Sequence, residues 1–163
     1  MTEFVKFEER LISDGYNYTI GVSATDLTDN GSLDLVSTDT GVGLYWYENN
    51  GEGDFVKHVV HQRADEWLER HAIADINGDG KLDLLANSGQ PRGKFPNSAA
   101  WLEVPKNPRT AKRWTRHIFA KEEAPGLSHY LGAGELNGDG RLDITLAAKG
   151  GPSDKSGTVS YTH

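Results

Sequence analysis

The stretch "DINGDGKLD", residues 75–83, decides how the rest of the chain is understood. It carries oxygen-bearing side chains at its first, third, fifth and ninth positions and a glycine at its sixth. Two near copies occur, "DLTDNGSLD" at 26–34 and "ELNGDGRLD" at 135–143. Three copies in one register indicate an internal repeat, and a repeat has to be recognised before the fold is assigned.

The sequences that flank the three turns repeat as well. Short runs rich in β-branched and aromatic residues precede and follow each turn, and Gly, Asn, Asp or Pro bound them, as in strands joined by hairpins. No long stretch keeps a 3.6-residue apolar period, so few helices are expected. Four short strands per unit of roughly 50 residues is typical of a β-propeller blade. A solenoid of β-strands is the alternative, but its coils are usually shorter and do not need a four-stranded meander.

We therefore predict an all-β fold, a β-propeller segment of about three four-stranded blades that forms a single domain over residues 1–163. The predicted blades cover about 13–61, 62–120 and 121–163, with 4–12 as an extra outer strand. Closed propellers usually have about four blades or more. We expect either that this segment is part of a longer propeller or that copies of the chain complete a ring together, and we favour the first.

Composition excludes several classes of function. The chain has no cysteine, which excludes disulfides, thiolate metal sites and a cysteine nucleophile. Its formal net charge of -7 argues against nucleic acid as a partner. No apolar run approaches the ~20 residues that span a membrane. The first residues, "MTEFVKFEER", lack the apolar segment of a secretory signal.

The turns have the composition of a site for a hard cation. Side chains at positions 1, 3 and 5 can point into one concave turn, glycine at 6 permits the bend, a backbone carbonyl at 7 can contribute, and the acid at 9 closes the far side. Oxygen ligands in a flexible loop suit Ca²⁺ better than Mg²⁺, and zinc would require His or Cys. The predicted ligands are Asp26, Thr28, Asn30, Ser32 and Asp34 in the first turn, Asp75, Asn77, Asp79, Lys81 and Asp83 in the second, and Glu135, Asn137, Asp139, Arg141 and Asp143 in the third.

The turns have two alternative interpretations. An EF-hand is disfavoured because Ala86 stands where its bidentate Glu would be and because flanking helices are not predicted. Ordinary polar turns without metal are also disfavoured, because all three copies keep the acid at position 9. The copies differ: Glu135 is longer than Asp, and Thr28 is a weaker ligand than Asn. We expect the metal to act structurally, with the first turn as the weakest site.

The turn pattern D-x-[ND]-x-[ND]-G-x-x-D resembles the FG-GAP/VCBS repeat family, which includes the calcium-binding blades of integrin α-subunits. The resemblance spans about residues 4–160. It implies a calcium-binding propeller that is extracellular or periplasmic and serves as a binding or scaffold module for carbohydrate or protein, rather than as an enzyme. "GLYWYEN" and "WLERHAIADINGDGKLD" also look similar to propeller domains of aldos-2-ulose dehydratase-like and polysaccharide-degrading proteins. That resemblance implies an alternative, a catalytic propeller acting on sugars as a lyase or dehydratase.

The innermost strand of each blade carries the candidate residues for this alternative. When the repeats are aligned on position 1 of the turn, Glu69 and His129 share one position with Ile20, and His71 lies two residues after Glu69. Carboxylate and imidazole groups beside an aromatic ring could support proton transfer and sugar stacking. Their predicted neighbours are Trp67, Arg70, Ser128 and Tyr130. We favour the simpler interpretation, in which these residues are partly exposed strand ends.

Two further pairs recur between repeats. Trp46 and Trp101 share a position in the third strand, and we predict that they pack between blades. His58 and His117 share a position in the fourth strand, which indicates packing at the outer edge rather than catalysis.

Overall fold

The structure is a computed structural model that describes residues 5–62, 68–88, 98–120, 127–149 and 157–162. These residues contain eleven strands and no helix, and therefore no helix that could cross a membrane. The strands are β1 (Thr19–Thr25), β2 (Asp34–Asp39), β3 (Gly43–Asn49), β4 (Phe55–Gln62), β5 (Leu68–Ala74), β6 (Asp83–Ser88), β7 (Ser98–Glu103), β8 (Thr115–Ala120), β9 (Leu127–Gly134), β10 (Asp143–Lys149) and β11 (Gly157–Tyr161).

The strands form three antiparallel meanders. β1 to β4 and β5 to β8 each make a four-stranded sheet, and β9 to β11 make a three-stranded sheet, always with sequence neighbours paired. None of these sheets closes into a barrel within the described part of the chain. The prediction of an all-β fold built from repeated blade-like units is confirmed, while the exact blade boundaries stay predictions.

The first strands of the three sheets lie next to each other, β1 against β5 and β5 against β9. The approach of β1 to β5 depends on Gly21, where an added Cβ would lie 3.2 Å from His71 Nδ1 of β5 and 3.0 Å from Thr38 Oγ1 of β2. The sheets are therefore stacked as propeller blades are, with the first strand of each sheet on the inner side.

The second sheet buries both of its faces. Leu84 belongs to a core shared with the first sheet, in which Val36 and Trp46 are also fully buried. The next residue, Leu85, belongs to a core shared with the third sheet, together with Ile144. Successive strand residues point to opposite faces, so neighbouring leucines serve different interfaces. Each fully buried leucine contributes about 2 kcal/mol from removal of apolar surface from water.

The segment before β1 covers part of the other face of the first sheet. Tyr16 packs edge-on against Tyr45, with ring centroids 6.0 Å apart. The Lys57 ammonium lies 4.1 Å from the centroid of Tyr45 and 4.7 Å from that of Tyr16. The Asp39 carboxylate accepts hydrogen bonds from the backbone N–H groups of residues 17 and 18. This segment therefore shields aromatic rings that point away from the second sheet.

Residues 5–12, which fall in the predicted extra outer strand, form no strand in the structure. Phe7 and Leu11 are exposed, and Arg10 forms an ion pair with Asp54 at 2.7 Å, in the loop between β3 and β4 of the first sheet. That contact places the segment beside the first sheet. Pairing of this segment with the third sheet of another copy stays a prediction.

A Trp–His–Glu arrangement recurs in both four-stranded sheets. In each, a Trp of the third strand stacks on a His of the fourth, and the His contacts a Glu two residues after the Trp. In the first sheet the ring centroids of Trp46 and His58 are 4.3 Å apart, and His58 Nε2 lies 3.1 Å from Glu48 Oε2. In the second sheet the ring centroids of Trp101 and His117 are 4.0 Å apart, and His117 Nε2 lies 2.8 Å from Glu103 Oε2. Trp46 lies in the core between the first two sheets and Trp101 packs against the core between the second and third, so their predicted packing role is confirmed.

Arg109 adds a contact between the first two sheets. It lies between β7 and β8 of the second sheet, and its guanidinium forms an ion pair with Glu48 of the first. The hydrogen bond and charge of Arg109 hold the pKa of Glu48 below its ordinary value. The contribution to stability is modest because half of the Arg109 side chain is exposed.

Candidate functional site

The three oxygen-rich turns occupy the same place in all three sheets, between the first and second strands. Their sixth positions, Gly31, Gly80 and Gly140, have φ values of 84°, 86° and 79°. This left-handed conformation favours glycine, and it gives the bend that the sequence predicts. The fourth positions are also left-handed: Gly78 and Gly138 fill two of them, and Asp29, at φ 55°, fills the third.

The acid at position 9 is fully buried in every turn: Asp34, Asp83 and Asp143 each have 0% of their surface exposed. Each begins the second strand, and its Oδ2 accepts a hydrogen bond from the N–H of the turn's second residue. In the first two sheets Oδ1 also accepts a hydrogen bond from the end of the third strand, from the N–H of Asn49 at 2.8 Å and of Val104 at 2.9 Å. The acid therefore ties the turn to the third strand.

The other side-chain oxygens of the second turn accept hydrogen bonds from the turn's own backbone. Asp75 accepts N–H groups of residues 78, 79 and 80 at 2.8 to 3.1 Å. Asn77 Oδ1 accepts the N–H of Asp79 at 3.0 Å, and Asp79 Oδ1 accepts the N–H of Lys81 at 2.9 Å. These contacts shape the turn so that positions 1, 3 and 5 face its inner side.

The first turn follows the same plan with one difference. Asp26 accepts the N–H groups of Asn30 and Gly31, and Asn30 accepts that of Ser32. Partial desolvation opposes ionisation of Asp26, but these N–H groups hold its pKa below the ordinary value. The difference is Thr28, whose hydroxyl oxygen is buried and has no hydrogen-bond partner among the described residues. A buried oxygen without a partner at position 3 fits a site that offers an oxygen ligand.

The third turn is also closed by its own backbone. Glu135 accepts the N–H of Gly138, Asn137 accepts that of Asp139 at 2.9 Å, and Asp139 accepts that of Arg141 at 2.8 Å. The position 7 residues Ser32, Lys81 and Arg141 thus all donate their N–H to the side chain at position 5. Coordination by their carbonyl oxygens stays a prediction.

The acids of the second turn are close enough to affect each other. Burial raises the pKa of Asp83, hydrogen bonds from Val104 and Ile76 oppose that rise, and the charges of Asp79 and Asp75 add to it. Nevertheless, within the described ranges no group of three or more Asp, Glu or His side chains is arranged to surround a metal ion. The donors fit Ca²⁺ in type, being all oxygen, but their carboxylates are engaged with backbone N–H groups.

A second candidate site lies on the innermost strands, where each carries one extra residue relative to its partner strand. The register shifts between Thr19 and Val22 in β1, between Leu68 and His71 in β5, and at His129 in β9. Such β-bulges redirect side chains and often occur beside functional sites. Ile20, Glu69 and His129 fall at these positions when the repeats are aligned on the turn, but the bulges could not be predicted from the sequence.

The structure brings Glu69 and His129 together. Glu69 is 3% exposed, and its Oε2 lies 3.9 Å from His129 Nδ1. His71 contacts a different group, because its Nδ1 lies 3.2 Å from Thr38 Oγ1 of the first sheet. Of the predicted neighbours, Arg70 stacks on Tyr130, whereas Trp67 and the side chain of Ser128 lie outside the described residues.

Substitutions in the second turn should separate structural acids from exposed ones. We expect Asp83→Ala to lower the free energy of unfolding by at least about 2 kcal/mol, because two N–H groups lose their buried acceptor. Asp79→Ala, the matched control at an exposed position, should change it by less than about 1 kcal/mol. Urea denaturation in a chelating buffer measures both. Equal effects of the two substitutions would contradict the role assigned to position 9.

His71 should make the protein sensitive to acid. Burial lowers the pKa of His71 from 6.5 to about 4, so the folded state holds this imidazole neutral. Between pH 6.5 and pH 4 the unfolded chain binds the proton more readily, and stability falls as the pH is lowered. The loss from this group is at most about 3 kcal/mol. In His71→Asn the stability difference between pH 7 and pH 4 should shrink by part of that amount, measured by urea denaturation; an unchanged difference would exclude the effect.

Comparison with known proteins gives one assignment. No curated protein matches the chain. A family model for the FG-GAP-like repeat matches residues 26–86, which run from the first acid of the first turn through the second turn into β6. This stretch holds two of the three oxygen-rich turns and the strands between them. Residues 26–86 therefore match an FG-GAP-like repeat, which indicates a β-propeller-type module.

Proposed function

We propose that the chain is a calcium-stabilised propeller module that binds carbohydrate or protein and acts outside the cytosol. The main support for calcium binding is that the same turn recurs at the same place in three sheets. Each copy combines oxygen donors at positions 1, 3 and 5 with a buried acid at position 9. Ordinary hairpin turns need polar residues, but they do not need this full set three times.

The residues that would hold the cation are the side chains at positions 1, 3 and 5 of each turn, with the acid at 9 behind them. Asp75, Asn77 and Asp79 form the most complete set, and the unpartnered hydroxyl of Thr28 supports a site in the first turn. A bound Ca²⁺ would offset the mutual repulsion of these carboxylates. Since the position 9 acid also holds the third strand, the cation would stabilise the blade beyond the turn itself.

The surfaces between the turns support a binding role. One cleft of about 400 Å³ lies between the first and second turns and is bordered by Asp26, Lys81 and Arg109. Another, of about 610 Å³, lies between the second and third turns and is bordered by Asp75 and Arg141. Both clefts mix acidic and basic groups, and both depend on the shape of the turns.

Calcium titration by calorimetry, with thermal melts in calcium and in chelator, tests this proposal. We expect heat of binding for up to three sites and a higher melting temperature with calcium. A site with affinity of ~10⁻⁴ to 10⁻³ M, common in extracellular modules, adds about 1.4 kcal/mol at ten times its dissociation constant. Asp79→Ala should remove one site without unfolding the protein. Absence of heat together with an unchanged melting temperature would exclude calcium.

A second function, a propeller that cleaves or dehydrates sugars, draws on the contact between Glu69 and His129. The Glu69 carboxylate lies 3.9 Å from the His129 imidazole, and it would orient that ring for proton transfer if the two groups closed to hydrogen-bond distance when a substrate binds. Burial keeps His71, on the same strand as Glu69, neutral, as a base requires.

Incubation with acidic polysaccharides, followed by detection of unsaturated sugars, tests this alternative. A lyase would release them, and His129→Ala or His71→Ala would reduce the rate by at least about 100-fold. Lack of product with the folded wild-type protein would leave the binding function as the better account.

A further inference from the structure

A cleft of about 240 Å³ lies on the inner side of the blades, between the first, second and third sheets. Residues 20–23 of β1 form one wall, Arg70 and His71 of β5 another, and Tyr130 and Leu131 of β9 the third. The cleft therefore collects side chains from the bulged part of all three innermost strands. Its size is below the roughly 300–1,000 Å³ of pockets for drug-sized ligands, so it suits a ligand of about one sugar ring.

Arg70 supplies the charge of this cleft. It forms no ion pair within the described part of the chain, and its Nε is buried without a hydrogen-bond partner there. Its guanidinium carbon lies 4.3 Å from the centroid of the Tyr130 ring, so a cation–π contact holds the guanidinium over the ring. A guanidinium held in this way is prepared for a planar anion, because its N–H groups match the two oxygens of a carboxylate.

His71 offers a second polar atom. Its Nδ1 is occupied by Thr38 Oγ1 at 3.2 Å, whereas its Nε2 is buried and has no partner among the described residues. Glu69, the residue before Arg70, is 3% exposed and is not among the described residues that line the cleft; its carboxylate lies 3.9 Å from His129 Nδ1. Among the residues that the structure describes, the walls of the cleft thus present one cation and one neutral imidazole and no acid.

Apart from Ser23, the other described residues of the walls are apolar or aromatic. Ile20, Val22 and Leu131 line the cleft, and Val22 and Tyr130 are 69% and 60% exposed. Exposed aromatic and aliphatic side chains beside a partly buried arginine match a molecule with a carbon ring and one acidic group. A free inorganic anion would use the Arg70 charge but not these surfaces.

We propose that this cleft binds a sugar acid, a uronate either free or at the end of a chain, with its carboxylate on Arg70 and its ring against Tyr130. The inference names the ligand class for the carbohydrate-binding part of the proposed function. It does not depend on calcium, because Gly21 in the cleft and Asp26 in the turn are separated along β1 by about 16 Å at ~3.3 Å per residue.

Titration of the full chain with glucuronate and galacturonate, by calorimetry and by NMR of the backbone and arginine Nε–H groups, tests the proposal. We expect saturable binding with a dissociation constant of about 1 mM or tighter and a shift of the Arg70 Nε–H signal. Glucose, which lacks the carboxylate, and acetate, which lacks the ring, should each bind at least tenfold more weakly. Equal binding of uronate and glucose, or of uronate and acetate, would overturn the assignment.

Uronate binding by substituted proteins gives a second, independent test. Arg70→Gln should weaken uronate binding at least tenfold, and Tyr130→Ala, at a largely exposed position, several-fold. Arg113→Gln removes the same charge from the exposed loop before β8 and should leave binding unchanged. If Arg70→Gln does not fold, the NMR signal of Arg70 in the wild-type protein decides the matter. Unaltered binding in a folded Arg70→Gln variant would refute the role of Arg70.

The same samples separate this inference from the calcium proposal. Uronate titrations are run in calcium and in chelator, and calcium titrations are run without sugar. Calcium binding without any response to uronate up to about ten millimolar would reject the sugar-acid site alone. Uronate binding to a protein that shows no calcium effect would reject the calcium proposal alone.

Discussion

The fold depends on one repeated interaction, the buried carboxylate that begins the second strand of each sheet. Such a group is expensive to remove from water, and it persists because backbone N–H groups surround it. In the first two sheets those donors come from the turn and from the end of the third strand, so one side chain joins three elements. Because this carboxylate is the first residue of the second strand, its hydrogen bonds fix the position at which that strand begins.

The second sheet organises the packing of the others. Leu84 and Leu85 are both fully buried. Leu84 packs towards the first sheet and Leu85 towards the third. Gly21 permits the inner strands to approach closely, and that approach creates the environment of His71. The candidate cleft is therefore a product of blade packing, since each of its walls belongs to a different sheet.

Much of this architecture could be predicted from spacing. The repeated turn identified the hairpins, and the glycines at position 6 adopt the left-handed conformation that the pattern requires. The hydrogen bond from the third strand to Asp83 could not be predicted from the repeat. The donor Val104 is 21 residues from Asp83, whereas the equivalent donor Asn49 is 15 residues from Asp34, so the repeat gives no constant spacing. The β-bulges could not be predicted either, because a bulge is an extra residue relative to the partner strand and depends on how the two strands pair. Residues 7–12 match a fourth strand in pattern, but the pattern does not determine which sheet the segment lies beside, and Arg10 contacts Asp54 in a loop of the first sheet, which already has four strands.

The simple order of the strands has a kinetic consequence. Every strand pairs with its neighbour in the chain, so forming a sheet closes only short loops, and the entropy lost at each step is small. Individual sheets can then assemble from local hairpins before they dock, and topologies dominated by local pairing fold faster than those with distant pairing. The central sheet, with an apolar surface on each side, would serve as the template on which its two neighbours become ordered.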